Sequence, residues 1–231
     1  MVNETMLGEL FNLGGTMLLN QQGFDLWADG YDQTVQLSEE NQQYPFAGYK
    51  DILNKIFNEV MQVKASTVLD IGFGTGVLTA KLYEQGHMIY GFDFSSKMMA
   101  IAQEKMPQAN LLEWDLSNGL PATLMNKQYD AIVSTYALHH FTDEQKVTYI
   151  TQLLQQLTPN GKILIGDVAF QTREQLEQCR QDSKGYWDDD EFYFVHEELK
   201  TSLQDRCQLQ FYPISHCGGV LVISNCTEVD R

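Results

Sequence analysis

The sequence predicts an α/β fold, a mostly parallel sheet with helices on both faces, and three observations carry that expectation. Short runs rich in Val, Ile, Leu and Tyr alternate with helical stretches between residues 67 and 167. The first run, Val68-Leu69-Asp70-Ile71, breaks into the glycine loop Gly72-Phe73-Gly74-Thr75-Gly76. The last two runs, 207–214 and 219–224, are joined so tightly through Ser215 to Gly218 that they must pair antiparallel.

Taken in order, residues 1–23 hold two short apolar clusters around Gly14-Gly15, compatible with a docked helix or a frayed tail. Phe24, Trp27, Tyr31, Tyr44, Phe46 and Tyr49 follow, more aromatics than a surface linker needs. Ile52, Leu53, Ile56, Phe57, Val60 and Met61 then fall on one helical face. We read 1–64 as a helical and aromatic cap packed on a core domain, 65–231. Within that domain the expected strands are 67–71, 88–92, 110–113, 129–135 and 162–167. The helices between them are 77–85, 96–106 and 143–157. The last opens on the capping pattern Thr142-Asp143-Glu144-Gln145 and ends at Thr158-Pro159-Asn160-Gly161. Pro121 opens at most two turns. Residues 171–184 and 196–204 read as helices, and 185–194 as a loop.

Composition bounds the function. With 43% hydrophobic and 20% charged residues, 231 residues suit one globular domain. The net charge of −16 and the lack of a Lys/Arg cluster argue against a nucleic-acid partner. No apolar run approaches the roughly 18 residues of a membrane span. Met1-Val2-Asn3-Glu4-Thr5 lacks the basic region of a secretory leader, so a cytoplasmic protein is expected. Cys179, Cys207, Cys217 and Cys226 form no Cys-x-x-Cys pair and read as free thiols.

The glycine loop offers unpaired N–H groups beside a positive helix end, a place for a nucleotide-like ligand. In the dinucleotide fingerprint the third glycine would fall at Val77; here it is displaced to Gly76. Asp93 ends the second strand about 20 residues later, where a carboxylate binds ribose hydroxyls. That serves a nicotinamide dinucleotide and other adenosine ligands equally; the alternative is an acid capping the helix at Ser95/Ser96.

The pattern Asp-x-Gly-x-Gly-x-Gly resembles the first motif of class I S-adenosylmethionine-dependent methyltransferases. Glu113-Trp114-Asp115-Leu116, Tyr129 to Phe141 (with Leu138-His139-His140), and Leu157-Thr158-Pro159-Asn160-Gly161 resemble their later motifs in order. The match spans about residues 24–225. With Trp27-Ala28-x-x-Tyr31-Asp32, the chain is similar to the uncharacterised YrrT-type small methyltransferases of Gram-positive bacteria. The resemblance implies a Rossmann-like, seven-stranded sheet, S-adenosylmethionine as cofactor and S-adenosylhomocysteine as product. It further implies that Asp70, Gly72, Phe73, Gly74, Gly76 and Tyr31 hold the methionine end. Asp93 would hold the ribose, Phe94, Met98, Asp115 and Leu116 the adenine, and Ser134 would lie near the sulfonium. A substrate lid at about 171–195, including Tyr186, Trp187, Glu191 and Tyr193, follows from the same likeness. Trp27, Tyr49, His140 and Tyr193 would line the acceptor pocket.

Methyl transfer needs proximity and in-line alignment more than a covalent intermediate. His139, just past the fourth strand, could serve as a general base, or the His139-His140 pair could only shape the pocket. No metal is expected, because adjacent histidines rarely face one ion and no partner ligands are evident. There is no Asn-Pro-Pro-Tyr-like segment and no Pro-Cys nucleophile, which points to a small-molecule acceptor. Two other readings stay open: a non-catalytic S-adenosylmethionine-binding protein, and an NAD(P)-dependent oxidoreductase. Val77 and the absence of Tyr-x-x-x-Lys weigh against the second. The accepting atom is open, and so is the choice between monomer and homodimer.

Overall fold

The computed structural model describes residues 43–226, so Trp27 and Tyr31 lie outside the described residues. Helix α1, Tyr49–Val60, buries Ile52, Leu53, Ile56 and Val60, the expected apolar face. From there strand and helix alternate: β1 Thr67–Ile71, α2 Val77–Glu84, β2 Met88–Asp93, α3 Ser96–Lys105, β3 Asn110–Glu113 and the short α4 Ala122–Met125. They continue with β4 Tyr129–Thr135, α5 Asp143–Leu154, β5 Leu157–Phe170, α6 Arg173–Asp182 and β6 Phe194–Val195. Helix α7, His196–Leu203, precedes the hairpin of β7 Cys207–Pro213 and β8 Gly218–Asn225.

The sheet order is β3-β2-β1-β4-β5-β8-β7, parallel from β3 to β5 and antiparallel from β5 to β7. The order reverses beside β1, so the carboxyl ends of β1 and β4 open a crevice there. Alternation along β1 sends Leu69 and Ile71 into one core with Ile132, Ile150 and Leu153. Val68 packs into the other, with Ile52, Ile56 and Leu82. Asp70 shares the face of Val68 and points toward the α1 and α2 side.

Three features differ from expectation. An eighth strand, β6, pairs Phe194 and Val195 with Ala169 and Phe170 of β5. Two residues are too short to show a period, so 185–194 read as loop to its end. Helix α5 stops at Leu154 rather than 157, and β5 begins five residues early, at Leu157. Pro159 and Gly161 are tolerated in that strand because the register with β4 shifts between Tyr129 and Ala131, the irregularity of a bulge. The side chain of Asp130 then accepts from the Thr158 hydroxyl at 3.0 Å and from Thr67 N–H at 2.9 Å.

Candidate active site

Gly72, Gly74 and Gly76 all adopt positive φ, at 69°, 56° and 75°. At Gly72 the need is double: a Cβ there would lie 2.6 Å from Ala137 Cβ, so β4's extension closes on the loop backbone. Gly76 caps α2 in the left-handed region with no side-chain cap, leaving the helix's first N–H groups to whatever binds. Lys105 donates to Thr75 O at 2.8 Å and steadies the loop from α3.

Asp93 is buried at the end of β2. Its Oδ2 accepts from Gly74 N–H and its Oδ1 from Ser95 N–H, both at 2.9 Å. The α3 cap is Ser95, whose hydroxyl accepts from Met98 N–H, so Asp93 is not needed as a helix cap. Asp70 is 1% exposed, with Oδ2 accepting from the Thr79 hydroxyl. Its Oδ1 has no hydrogen-bond partner among the described residues. Burial raises the Asp70 pKa to about 7 against the opposing Thr79 bond, and the nearby Asp93 charge adds to the rise.

Asp70, the loop from Gly72 to Thr75, Tyr49, Leu53, Thr135 and Tyr136 line a cleft. Tyr136 is held there at φ 51°, a conformation that costs a non-glycine residue about 1 kcal/mol and that surrounding packing must enforce. Its ring lies 5.6 Å from that of Tyr49 and 5.0 Å from that of Phe46. A buried carboxylate with an unused oxygen, backbone donors at a helix start and aromatic walls together fit the amino-acid end and sulfonium of S-adenosylmethionine.

Beyond Tyr136 a short 3-10 turn, Leu138–His140, carries the two histidines. His139 is buried; its Nδ1 lies 2.7 Å from Asp167 Oδ1 and its Nε2 3.3 Å from Glu191 Oε1. Asp167 sits inside β5, whereas Glu191 comes from the segment before β6 that folds back over the turn. That segment is fixed by Phe192 N–H donating to His139 O at 2.8 Å and by Lys146 Nζ donating to Phe192 O. Tyr193 OH donates to Glu191 Oε2 at 2.6 Å and meets Tyr44 OH; the Trp187 ring stacks on Tyr44. Burial alone would lower the His139 pKa, but the charges of Asp167 and Glu191 outweigh it and raise it well above 6.5. Burial would raise Glu191, yet His139 and Tyr193 bring it to about 2. Both ring nitrogens of His139 thus face carboxylate oxygens. His140, its ring 4.4 Å from that of His139, is lowered to about 4, by burial first and then by His139.

The structure thus gathers Asp70, Gly72, Phe73, Gly74 and Tyr49 around one cleft, with Asp93 tied to its loop. Ser134 lies at the end of β4, and its hydroxyl donates to Ile71 O at 3.0 Å. Met98 is buried on α3. Asp115 follows β3 and accepts from Ser117 N–H at 2.8 Å, capping a short turn that begins at Leu116. Phe94 stands between Asp93 and the cap Ser95. Tyr193 and His140 belong to the His139 cluster, with Tyr49 across Tyr136. Sequence reasoning did not single out Thr79, Lys105 or Asp167. Each reaches its partner through tertiary packing, with no local pattern to mark it.

A methyltransferase-domain family matches residues 68–161, from β1 to the start of β5. An uncharacterized methyltransferase of Geobacillus sp. (strain WCH70) is 40% identical over 162 residues, 70% of this chain and 73% of the relative. One from Bacillus cereus is 35% identical over 185 residues, 79% of this chain and 81% of the relative. Among solved structures, the magnesium protoporphyrin IX methyltransferase of Synechocystis, with bound S-adenosylhomocysteine, superposes with a TM-score of 0.63 at 18% identity. It covers 97% of this chain and 100% of its own. The DhpI–S-adenosylhomocysteine complex has a TM-score of 0.63 at 17% identity, covering 89% and 94%. With that fold, and with relatives of such identity aligned over most of their length, the chain belongs to the class I methyltransferases, in the family of these Bacillus and Geobacillus proteins.

Proposed function

We propose that the chain transfers the methyl group of S-adenosylmethionine to a small-molecule acceptor. The observation that carries the cofactor is Asp70: a fully buried carboxylate with an unpartnered oxygen beside the uncapped start of α2 wants a cationic partner. The α-ammonium of the cofactor supplies one, and its carboxylate suits the helix end. Asp93, oriented by two backbone donors, stands at the end of β2, where a carboxylate binds ribose hydroxyls. The neighbouring methyltransferase structures that contain S-adenosylhomocysteine support the same cofactor.

The cofactor brings a methyl carbon activated by positive sulfur, and the chain's residues bind, align and exclude water. A small acceptor is favoured by the segment before β6, which folds over the His139 turn through Phe192 and Lys146. His140 and Tyr193 stand beside His139 at that end, and we assign this cluster to the acceptor side of the site. The absence of a basic cluster supports a partner other than nucleic acid. Calorimetric titration with S-adenosylmethionine, S-adenosylhomocysteine and NADH tests the reading. Binding of the first two at micromolar concentration and none of NADH is expected; binding of NADH alone overturns it.

A further inference from the structure

The His139 cluster has more structure than a salt bridge requires. His139 Nδ1 is occupied by Asp167, a carboxylate 1% exposed and held in turn by Val168 N–H at 2.8 Å. Nε2, at the other end of the ring, faces Glu191 Oε1. Glu191 shows the same arrangement from the other side: Oε2 accepts from Tyr193 OH, and Oε1 is turned to His139. Both groups are therefore oriented from behind, as metal-binding histidines and carboxylates are.

The separation of the front atoms is informative. A charge-assisted N–H···O bond settles near 2.7–2.9 Å, whereas His139 Nε2 and Glu191 Oε1 stand 3.3 Å apart. Tetrahedral zinc with bonds of about 2.0 Å spaces its ligands by about 3.3 Å. His140, on the same 3-10 turn, brings a third donor, and ligand atoms of the three residues all lie within 4.8 Å of one another. An adjustment of about 1.5 Å in a side chain completes the spacing.

We propose that His139 Nε2, a ring nitrogen of His140 and Glu191 Oε1 form a site for a divalent transition ion of the zinc type, with one coordination position left open. Two histidines, one glutamate and an open position are the donor set of a catalytic rather than a structural zinc site. The site stands on its own geometry; its role rests on the methyl-transfer reading. An acceptor hydroxyl or thiol bound at the open position loses its proton to solvent. Its lone pair then attacks the methyl carbon, the carbon–sulfur bond breaks, and that electron pair remains on sulfur in S-adenosylhomocysteine. His139 on this account is a ligand and Asp167 the residue that positions it.

The test uses the full-length chain, free of any tag and stripped with chelator, titrated with Zn²⁺ alone by calorimetry and with Co²⁺ by visible absorption. One ion per chain is expected at micromolar affinity or better, with the intense d–d bands of four-coordinate cobalt. Glu191→Gln and His140→Ala should each weaken binding at least about ten-fold, and Asp167→Asn about 10- to 100-fold. Glu177→Gln, on the exposed face of α6, should leave binding unchanged. Absence of stoichiometric binding, or binding that survives both Glu191→Gln and His140→Ala, overturns the proposal. S-adenosylhomocysteine affinity, measured in parallel, reports that each variant is folded. Its absence in the parent protein would count against the methyl-transfer reading and leave the ion site standing.

Discussion

Gly74 donates its backbone N–H to Oδ2 of Asp93 at 2.9 Å, across 19 positions of sequence. The glycine loop after β1 and the acid that ends β2 are therefore one unit. Asp93→Ala removes both the tether of the loop and the ribose acceptor. S-adenosylhomocysteine affinity should fall about ten-fold or more, the scale of one charge-assisted hydrogen bond. Calorimetry measures it, and an unchanged dissociation constant would remove Asp93 from the site.

The same unit explains what was legible in the sequence. Asp70, the glycines and Asp93 occur at strand ends, where parallel-sheet topology dictates that a ligand binds, and their spacing follows one βαβ unit. The His139 cluster had no such rule. His139 itself was visible just past β4, but Asp167 lies 28 positions away in a strand that reads as plain core. Glu191 sits in the expected lid, whose acids read equally as suited to a cationic or amine substrate and as a solvated loop. The fold-back over the 3-10 turn brings Glu191 to His139, and it is bonded by Lys146, which sequence periodicity places on α5 without revealing its burial. Asp115 shows the converse: its position after β3 was legible, and its side chain is used locally by Ser117.

The loop glycines should differ in their tolerance of a methyl group. Gly72→Ala meets Ala137 Cβ at 2.6 Å in addition to its positive φ, whereas a Cβ at Gly74 has open space. The alanine at 74 should cost about 1 kcal/mol, the left-handed penalty alone. At 72 an overpacking cost of about 1–3 kcal/mol adds to it. Urea unfolding of the two variants tests the order, and equal losses would mean that β4's extension yields freely to the loop.

Lys146 is 2% exposed, with Nζ between Phe192 O and Asp143 and 4.4 Å from the Phe194 ring. Lys146→Met keeps the length and deletes the donor, leaving Phe192 O unpaired at a cost of about 1–3 kcal/mol. The loss should loosen the segment before β6 specifically. Limited proteolysis within 183–192 should accelerate several-fold while S-adenosylhomocysteine affinity stays at the parent value. An unchanged cleavage rate would show that the aromatic contacts of Tyr44, Trp187 and Tyr193 hold the segment without the lysine.

Asp70 makes cofactor binding pH-dependent, with a direction set by its raised pKa of about 7. In the cofactor-free protein the native state holds a proton on Asp70 that the unfolded chain releases near 3.8. This group's contribution to stability therefore falls as pH rises from about 4 to 7 and is level above that. The bound ammonium favours the carboxylate, so binding expels the proton. Below pH 7 the apparent affinity should decline, approaching ten-fold per pH unit for one proton released. Above about pH 8 the cofactor's own α-amino group begins to lose its charge, which closes the window on the alkaline side. Titrations from pH 5.5 to 8.5 in buffers of different ionisation enthalpy should show an affinity maximum between 7 and 8 and proton release on the acid limb. Asp70→Asn should bind weakly and lose that acid-limb release, and in the cofactor-free form it should be more stable than the parent at pH 8. A parent affinity that is flat from pH 5.5 to 7.5 would mean that the unpartnered Oδ1 does not receive the ammonium.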